Sequence, residues 1–342
     1  MTSGGRYRIA VIGAGSWGTA LAVLLARHGH RVHLWGHEKA AMERLQRERE
    51  NRRFLPGIPF PSPLQPVLTL TEALEGATER LIVVPSHAFD SVLENIAGLE
   101  PAPPSLAWAT KGLEPQGPRL LHEAVSARFP HASVAVVSGP TFAMEVARGL
   151  PTAITVASPD AEHARRLAAS LHGESFRAYT ASDIVGVEVG GAAKNIMAIA
   201  AGISDGLGFG ANARAALITR GLAEITRIGL ALGGLQETFM GLAGLGDLVL
   251  TCTDDQSRNR RMGLALAAGL DIASAREEIG QEVEGLAAAR DFHRLARRHG
   301  VEMPITEAVH GILYEGVEPS AAVRALLARH PREEREEPPT AH

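Results

Sequence analysis

The sequence predicts an α/β fold in which a doubly wound, mostly parallel sheet is followed by an all-helical C-terminal region. Short β-branched apolar runs alternate with helical patterns up to about residue 181, and this rhythm is typical of a parallel sheet. The runs are continuous rather than alternating, as expected of strands that are buried on both faces. From about residue 182 strand-like runs almost vanish and helical patterns follow one another. We therefore expect one domain over residues 1–181 and a second over residues 182–330.

The first region contains six candidate strands with helical patterns between them. The strands are residues 8–12, 32–35, 81–85, 106–110, 134–138 and 153–157. The helices are residues 19–28, 39–52, 72–76, 89–97, 117–128 and 161–171. A proline-rich stretch at residues 54–63 is expected to be a loop, because proline cannot occupy a helix interior.

The second region contains seven predicted helices, at residues 185–204, 213–232, 237–241, 259–268, 283–299, 305–314 and 319–329. A charged, proline-containing tail at residues 331–342 follows them. We expect this tail to be disordered, because it offers almost no apolar surface to bury.

The composition narrows the possible classes of function. A net charge of −4 argues against a general nucleic-acid binder, which needs a basic surface. The single cysteine, Cys252, excludes a disulfide framework and a thiolate zinc site, and it fits a reducing, cytoplasmic compartment. The histidines show no ligand spacing with a carboxylate, so no metal is expected. The first apolar run is too short for a signal peptide or a membrane span, so no integral membrane segment is expected.

A glycine-rich turn joins the first predicted strand to the first helix. The sequence there is Gly13-Ala-Gly15-Ser16-Trp17-Gly18, and strand, G-x-G-x-x-G and helix in this order are typical of a Rossmann dinucleotide site. The first glycine permits the tight turn, the second lets the backbone approach a pyrophosphate, and the third lets the helix pack on the strand. The helix N-terminus then attracts the anion. The alternative is a structural glycine turn that binds no ligand.

The end of the second strand bears on the choice of cofactor. NAD-selecting sites usually place a carboxylate at this strand tip to hold the ribose hydroxyls. Here His37 follows the tip and Glu38 comes one residue later. We therefore expect NADP(H), with His37 facing the 2′-phosphate, and NAD(H) as a second cofactor. The alternative is that His37 is only an exposed turn residue.

Lys194 is the strongest single candidate for chemistry in the second region. It is the only charged residue between Glu188 and Asp205, in a run of small apolar residues. A lysine on so apolar a helix face is costly, and desolvation lowers its pKa toward the range useful for proton transfer. Asp247 is a lone carboxylate in a glycine-rich run, and we expect it to pair with Lys194. The alternative is a lysine that extends from the rim of a buried helix.

Two turns follow predicted strands at the carboxyl edge of the sheet, where doubly wound folds bind ligands. Lys111 lies in the first turn, and Gly139 and Thr141 lie in the second. Backbone N–H groups and the Thr141 hydroxyl could hold a substrate oxygen there. A surface lysine and a purely structural turn are the alternatives.

A predicted helix begins with Ser257, Arg258 and Asn259. A guanidinium and helix N–H groups converge at such a start, and together they favour a phosphate. The alternative is a solvated basic helix start, and we expect one of Arg258, Arg260 and Arg261 to be solvated. Cys252 is expected to be a small core residue rather than a nucleophile.

Seven segments together resemble the bacterial NAD(P)-dependent glycerol-3-phosphate dehydrogenases, in order from about residue 8 to residue 330. They are GAGSWGTA at 13–20, VPSH at 84–87, ATKGLE at 109–114, SGPTFA at 138–143, KN at 194–195, GLGDL at 244–248 and SRNR at 257–260. The resemblance implies reversible conversion of dihydroxyacetone phosphate to sn-glycerol 3-phosphate for glycerophospholipid synthesis. It also implies a Rossmann domain followed by a helical domain, and a homodimer.

The resemblance also implies site residues. Lys194 would be the proton donor and acceptor, with Asp247 holding its ammonium. The implied substrate-site residues are Lys111, Gly139, Thr141, Lys194, Asp247, Ser257, Arg258 and Asn259. The implied cofactor contacts are Ser16, Trp17, His37, Lys111, Ala143, Arg258, Glu282 and Glu284. Glu282 departs from the apolar residue common at that position in the family.

Two other functions stay open from the sequence. One is a β-hydroxyacid or ketopantoate-type dehydrogenase, which shares the organisation but needs no phosphate site at Arg258. The other is a nicotinamide-binding sensor without chemistry, which would need only the first domain.

Overall fold

A single eight-stranded sheet organises the first half of the chain in the computed structural model, which describes residues 7–114, 117 and 119–328. In chain order the strands are β1 (Arg8–Ile12), β2 (Arg31–Trp35), β3 (Glu50–Asn51), β4 (Leu55–Pro59), β5 (Leu64–Pro66), β6 (Glu79–Ile82), β7 (Ser105–Trp108), β8 (Ser133–Ser138), β9 (Thr152–Ala157) and β10 (Phe176–Ala181). The tail at residues 331–342 lies outside the described residues, so its expected disorder stays a prediction.

Helices cover the sheet and then form the rest of the described chain. Those within the first region are α1 (Ser16–Arg27), α2 (Lys39–Glu48), α3 (Leu70–Leu74), α4 (Ser86–Leu99), α5 (Leu121–Arg128), α6 (Ala143–Arg148) and α7 (Ala161–Leu171). Those after the last strand are α8 (Ile184–Gly206), α9 (Gly210–Ala231), α10 (Gln236–Phe239), a π-helical turn (Leu242–Gly246), α11 (Asp247–Thr253), α12 (Arg258–Ala267), α13 (Ile272–Ile279), α14 (Glu284–His299), α15 (Pro304–Tyr314) and α16 (Pro319–Leu327).

The strand order of the sheet is β10-β9-β8-β7-β6-β1-β2-β5. Neighbouring strands are parallel except β8 and β9, where Val137 pairs with Val156 in antiparallel register. The predicted mostly parallel sheet is therefore confirmed. The chain leaves β1 toward β2 on one side and returns to β6 on the other, and such a switch opens a crevice at the carboxyl ends of the strands.

Both faces of the sheet are buried, as the continuous apolar strands predict. Ile9 and Val11 belong to one hydrophobic cluster, whereas Ala10 and Ile12 belong to another on the opposite face. Successive side chains of a strand point to opposite faces, so β1 contributes to two cores. This double burial is why the strand lacks a polar alternation.

The expected loop at residues 54–63 is wrong in part, because Leu55–Pro59 forms β4 and pairs with β3 in a separate two-stranded sheet. Proline is tolerated there because both strands of such a pair are edge strands. The buried Asn51 amide holds this hairpin against the glycine turn. Its Nδ2 donates to the Ala14 carbonyl at 2.9 Å and to the Thr19 hydroxyl at 2.8 Å.

Helix α8 is the core of the helical region, and it packs against α9, α11, α12 and α14. It approaches α12 closely at two glycines. A Cβ on Gly202 would lie 2.1 Å from the Arg260 carbonyl, and one on Gly263 would lie 2.1 Å from the Ile199 carbonyl. Glycine at these two positions therefore lets the two helices meet backbone to backbone.

Length and composition alone would allow α8 to cross a membrane, with a mean hydropathy of 1.4 over its most apolar window. However, 94% of that window is buried inside the protein. A long apolar helix covered by other helices is typical of the core of a soluble protein.

Candidate functional site

A cleft of about 1400 Å³ lies at the carboxyl edge of the sheet, and residues of the sheet region and of the helical region line it together. Most of the site residues predicted from the sequence line this cleft. They are Gly13, Gly15, Ser16, Trp17, His37, Lys111, Thr141, Ala143, Lys194, Ser257, Arg258, Asn259, Glu282 and Glu284. Residues as far apart in the sequence as Gly13 and Glu284 are thus brought to one space.

Three predicted site residues are not among those that line the cleft. Gly18 packs behind the turn, since a Cβ there would lie 1.9 Å from the Gly13 carbonyl. Gly139 contributes its carbonyl oxygen, which accepts a hydrogen bond from Lys111 Nζ at 3.2 Å. Asp247 is fully buried and faces the cleft through the lysines that contact it.

The glycine turn leaves room that the protein does not fill. Gly13 has φ +124° and a Cβ there would lie 2.2 Å from the Val83 carbonyl, so packing alone requires glycine at this position. At Gly15 an added Cβ would meet nothing within 4 Å. Glycine at position 15 is therefore explained by close approach of a ligand rather than by the protein's own packing.

The start of α1 offers donors to such a ligand. The helix begins at Ser16, which lines the cleft, and no side chain caps its first N–H groups. Trp17 Nε1 is buried, and within the described residues it has no hydrogen-bond partner. Unpaired donors beside the open space at Gly15 fit the diphosphate of a nicotinamide dinucleotide.

Lys194 and Lys111 share one buried carboxylate. Lys194 Nζ donates to Asp247 Oδ1 and to the Thr251 hydroxyl, the latter at 2.8 Å. Lys111 Nζ donates to Asp247 Oδ2 at 2.7 Å. The predicted pairing of Lys194 with Asp247 is confirmed, and the second lysine on the same carboxylate was not foreseen.

Burial controls the protonation of Lys194, which is only 6% exposed. Desolvation lowers the pKa of Lys194 to about 7, against the attraction of Asp247, and the nearby charge of Lys111 lowers it further. An amine with this pKa can both give and take a proton near neutral pH. The cluster therefore has the acid–base property that the apolar run around Lys194 predicts.

The start of α12 forms a second polar group of the cleft. Ser257 caps the helix, and its hydroxyl accepts from the Arg260 backbone N–H at 3.2 Å. Asn259 Nδ2 donates to Asn195 Oδ1 at 2.8 Å, which ties α12 to α8 beside Lys194. Arg258 lies in the cleft wall, so a guanidinium and a helix N-terminus converge near the lysine cluster.

The expectation that one of the three arginines in α12 is solvated is wrong, because Arg258 and Arg261 are half-buried and Arg260 is buried. Arg260 Nη2 donates to Asp205 at 2.6 Å, and its Nη1 donates to Asp255. Arg260 therefore stabilises the loop before α12 against the end of α8.

Glu284 closes the cleft on the side of α4. Its carboxylate accepts from the Ser86 hydroxyl at 2.8 Å and from the Ser86 N–H at 3.3 Å, so it caps the start of α4. Burial raises the pKa of Glu284 to about 7. Glu282 lies nearby and forms a long ion pair of 4.0 Å with Arg276 on α13.

The opposite end of the cleft lies beyond β2. His37 lines the cleft there with an 87% exposed side chain, and its Nε2 lies 3.9 Å from Glu38 Oε1.

Cys252 is buried, and burial raises its pKa to about 12, which makes it an inert core thiol. In the described part of the chain no group of three or more His, Cys, Asp or Glu side chains has metal-site geometry.

Gln281 and Thr251 belong to the site and were missed. Gln281 Oε1 accepts from the Ser16 hydroxyl at 3.2 Å and from Arg258 Nη1 at 3.4 Å. No spacing in the sequence indicates these contacts. The contact of Lys111 with Asp247 was also missed, although the composition offered a signal for it. The chain has only three lysines, at positions 39, 111 and 194, and two of them contact Asp247.

Comparison with known proteins gives one family for both regions. The model described as the N-terminus of NAD-dependent glycerol-3-phosphate dehydrogenase matches residues 8–164, and the model described as its C-terminus matches residues 183–324. The chain is 55% identical over 326 residues to a protein of Aliivibrio fischeri named glycerol-3-phosphate dehydrogenase (NAD(P)+), and the match covers 95% of each chain.

Solved structures agree with these matches. The crystal structure of glycerol-3-phosphate dehydrogenase from Coxiella burnetii has a TM-score of 0.93 and 52% identity, covering 95% of this chain and 99% of that one. The 2-dehydropantoate 2-reductase of Methylococcus capsulatus has a TM-score of 0.59 at 15% identity, covering 94% and 98%. The second likeness shows a shared fold alone.

Proposed function

The chain belongs to the family of NAD-dependent glycerol-3-phosphate dehydrogenases, and from this premise we propose that it catalyses the reversible reduction of dihydroxyacetone phosphate to sn-glycerol 3-phosphate. The observation that carries the proposal is the buried Lys194, with its pKa near 7, in the cleft that begins at the glycine turn. Ketone reduction needs a proton donor at this place, whereas a nicotinamide sensor does not need one.

The reacting group of the substrate lies, in this proposal, against Lys194. When bound, the reduced nicotinamide supplies the hydride that the carbonyl carbon accepts. Lys194 gives its proton to the resulting alkoxide, and in the reverse reaction it takes the proton from the alcohol. Lys111 adds a second positive charge near the developing negative charge. Asp247 holds both ammonium groups in place.

The phosphate of the substrate lies at the start of α12. Arg258 provides a guanidinium fork, and the helix N–H groups near Ser257 and Asn259 add donors. Binding energy from the phosphate orients the carbonyl toward Lys194, so a remote group raises the rate of the chemical step. Thr141 and the carbonyl of Gly139 border the same space next to Lys111.

The cofactor is NADP(H), and NAD(H) is a second one, in keeping with the name NAD(P)+ that the relatives carry. Gly13, Gly15, Ser16 and Trp17 would hold its diphosphate, with Gly18 supporting the turn. His37 would lie at the ribose of the adenosine. The remaining cofactor contacts in this proposal are Lys111, Ala143, Arg258, Glu282 and Glu284.

The cellular role and assembly form part of the same proposal. The product is the backbone of glycerophospholipids, and a cytoplasmic enzyme would supply it from a soluble sugar phosphate. We propose a homodimer, by likeness to the family. We also propose that residues 1–181 form the cofactor domain and residues 182–330 the substrate domain.

The assay is NADPH oxidation with dihydroxyacetone phosphate and, separately, with dihydroxyacetone. We expect turnover with the phosphate ester and a loss of roughly a hundredfold or more in kcat/KM without the phosphate. Equal rates with both ketones would show that the phosphate is not recognised and would contradict the proposed Arg258 site. No NADPH oxidation with either ketone would contradict the proposal.

A further inference from the structure

The β3–β4 hairpin places a cation at the end of the cleft that His37 lines. Buried Asn51 fixes this hairpin to the glycine turn through the Ala14 carbonyl and the Thr19 hydroxyl. Arg53 lies in the connection between the two strands and lines the same cleft as the turn. The position of Arg53 is therefore set by the same backbone that would hold the diphosphate.

Arg53 is restrained on two sides, although its side chain is 62% exposed. Its guanidinium carbon lies 4.8 Å from the centre of the Phe54 ring, which is cation–π distance. Its Nη1 lies 3.8 Å from Glu38 Oε2. Phe54 also lines the cleft, so both groups lie at the end of the cleft where the adenosine would bind.

Glu38 lies between two groups that can carry positive charge. One of its oxygens lies 3.9 Å from His37 Nε2, and the other lies 3.8 Å from Arg53 Nη1. A lone carboxylate after β2 would repel a 2′-phosphate and would favour ribose hydroxyls. Here nitrogen donors of His37 and Arg53 flank the two oxygens of the carboxylate, and such a pair of donors suits a small anion.

We propose that Arg53 is a specificity-determining residue that binds the 2′-phosphate of NADPH together with His37. When NADH is bound there is no 2′-phosphate, and Arg53 stays paired with Glu38. The Glu38 carboxylate then accepts hydrogen bonds from the ribose hydroxyls of NADH. The same three side chains thus accommodate both cofactors. The inference rests on the proposed use of a nicotinamide dinucleotide, but it concerns only the adenosine end.

The test measures binding of two fragments that lack nicotinamide, 2′,5′-ADP and 5′-ADP, by calorimetry. For Arg53→Gln we expect about tenfold weaker binding of 2′,5′-ADP and less than about a twofold change for 5′-ADP, as for loss of one charge-assisted contact. Arg52→Gln is the matched control, because Arg52 pairs with Glu48 at the end of α2 and with Glu50 on β3, and it is not among the residues that line the cleft. It should change neither affinity.

Glu38→Gln supplies a test of opposite sign. Removing this negative charge should tighten 2′,5′-ADP and weaken 5′-ADP. Equal weakening of both fragments in Arg53→Gln, no weakening of either, or a wild type that does not distinguish the fragments would each overturn the inference. Since no ketone is present, a selective loss would stand even if dihydroxyacetone phosphate proved not to be a substrate.

Discussion

Lys194 is the residue in which burial and chemistry are most directly connected. It is held by Asp247 and Thr251 and lies on α8, a helix rich in glycine and alanine. Its ammonium has lost most of its contact with water, which brings its pKa to about 7. A group in this state exchanges a proton at little cost in either direction of the reaction.

Replacing Lys194 by alanine should therefore lower kcat by about two or more powers of ten, the usual contribution of a general acid with its charge. NADPH binding should be nearly unchanged, because the turn that would hold the diphosphate lies on another element. Steady-state kinetics and cofactor titration measure the two effects. Lys39→Ala, at the start of α2, is the matched control and should keep full turnover. Near-normal turnover of Lys194→Ala would remove Lys194 from the mechanism.

The pH dependence of the reaction should report the same amine. Ketone reduction needs protonated Lys194, so its kcat should fall roughly tenfold per pH unit above about 7. Alcohol oxidation needs the neutral amine, so its kcat should rise through the same pH and then level off. Initial rates in both directions between pH 7 and pH 9 measure this. Lys194→Arg does not titrate in this range, and a falling limb that persists in that variant would assign the pKa to another group.

The contacts of single site residues could be predicted only where the neighbouring sequence indicates them. The pairing of Lys194 with Asp247 was predictable, because each is a lone charge in an apolar run. The Lys111 contact with the same carboxylate joins residues 136 positions apart, and no pattern in the chain encodes that distance. Gln281 was missed for the same reason, since only the folded chain brings it to Ser16 and Arg258.

Among the helices, the start of α15 is stabilised from outside. Glu224 on α9 is buried, and it accepts from the N–H groups of Ile305 at 2.7 Å and Thr306 at 3.3 Å. These donors have no partner within α15, so Glu224 replaces a local cap. Burial raises the pKa of Glu224 to about 7. The raised pKa therefore reflects the burial of a helix-capping carboxylate away from the lysine cluster, and the two N–H donors partly oppose the shift.

The raised pKa of Glu224 should be measurable as a pH dependence of the free energy of unfolding. The folded chain keeps the Glu224 proton up to about pH 7, whereas the unfolded chain loses it near its ordinary value. Between those two pH values the folded state holds more protons, so the Glu224 contribution to the free energy of unfolding falls as pH rises. Glu224→Gln cannot titrate. Urea unfolding should therefore show wild type losing stability relative to this variant between pH 5 and pH 8.

A control separates burial from the chemical change itself. Glu237 lies on the exposed face of α10, so Glu237→Gln gives the effect of the same substitution at the surface. If the difference between wild type and Glu224→Gln were the same at pH 5 and pH 8, Glu224 would not be the titrating group.

Elements with a clear period were predicted, and those that depend on tertiary contacts were not. The strand at residues 8–12 and the helix at residues 161–171 have the predicted bounds. The short edge strand β5 has only three residues, too few for a pattern. Helix α11 follows a glycine-rich run that disfavours a helix locally, and its packing against α8 decides its conformation.

At the scale of the whole molecule, the change from strand patterns to helical patterns predicts two regions, and the cleft forms where they meet. The position of the cleft follows from the order of strands around β1. The alternation of elements predicts the parallel sheet with its ligand-binding carboxyl edge, but it does not predict this order. What the sequence leaves open is which helical residues reach the sheet. Those contacts depend on how closely α8 and α12 pack, and glycines at their crossing set that distance.

Gln281 is one of the residues that span the two regions. Its side-chain oxygen accepts from Ser16 at the proposed cofactor site and from Arg258 at the proposed phosphate site. Donors at the two proposed sites therefore share one acceptor. We expect occupation of one site to change the hydrogen bonding available at the other.

The consequence is a coupling free energy between cofactor and substrate. We expect NADP+ to change the Kd of sn-glycerol 3-phosphate by about fivefold or more, and Gln281→Ala to bring that factor close to one. Calorimetric titration of each ligand with and without the other measures it, with Gln236→Ala on α10 as the control. An unchanged factor in Gln281→Ala would place the coupling elsewhere. Because linkage is reciprocal, the substrate must change the cofactor's affinity by the same factor. A single glutamine oxygen would then couple the binding of two different ligands in this cleft.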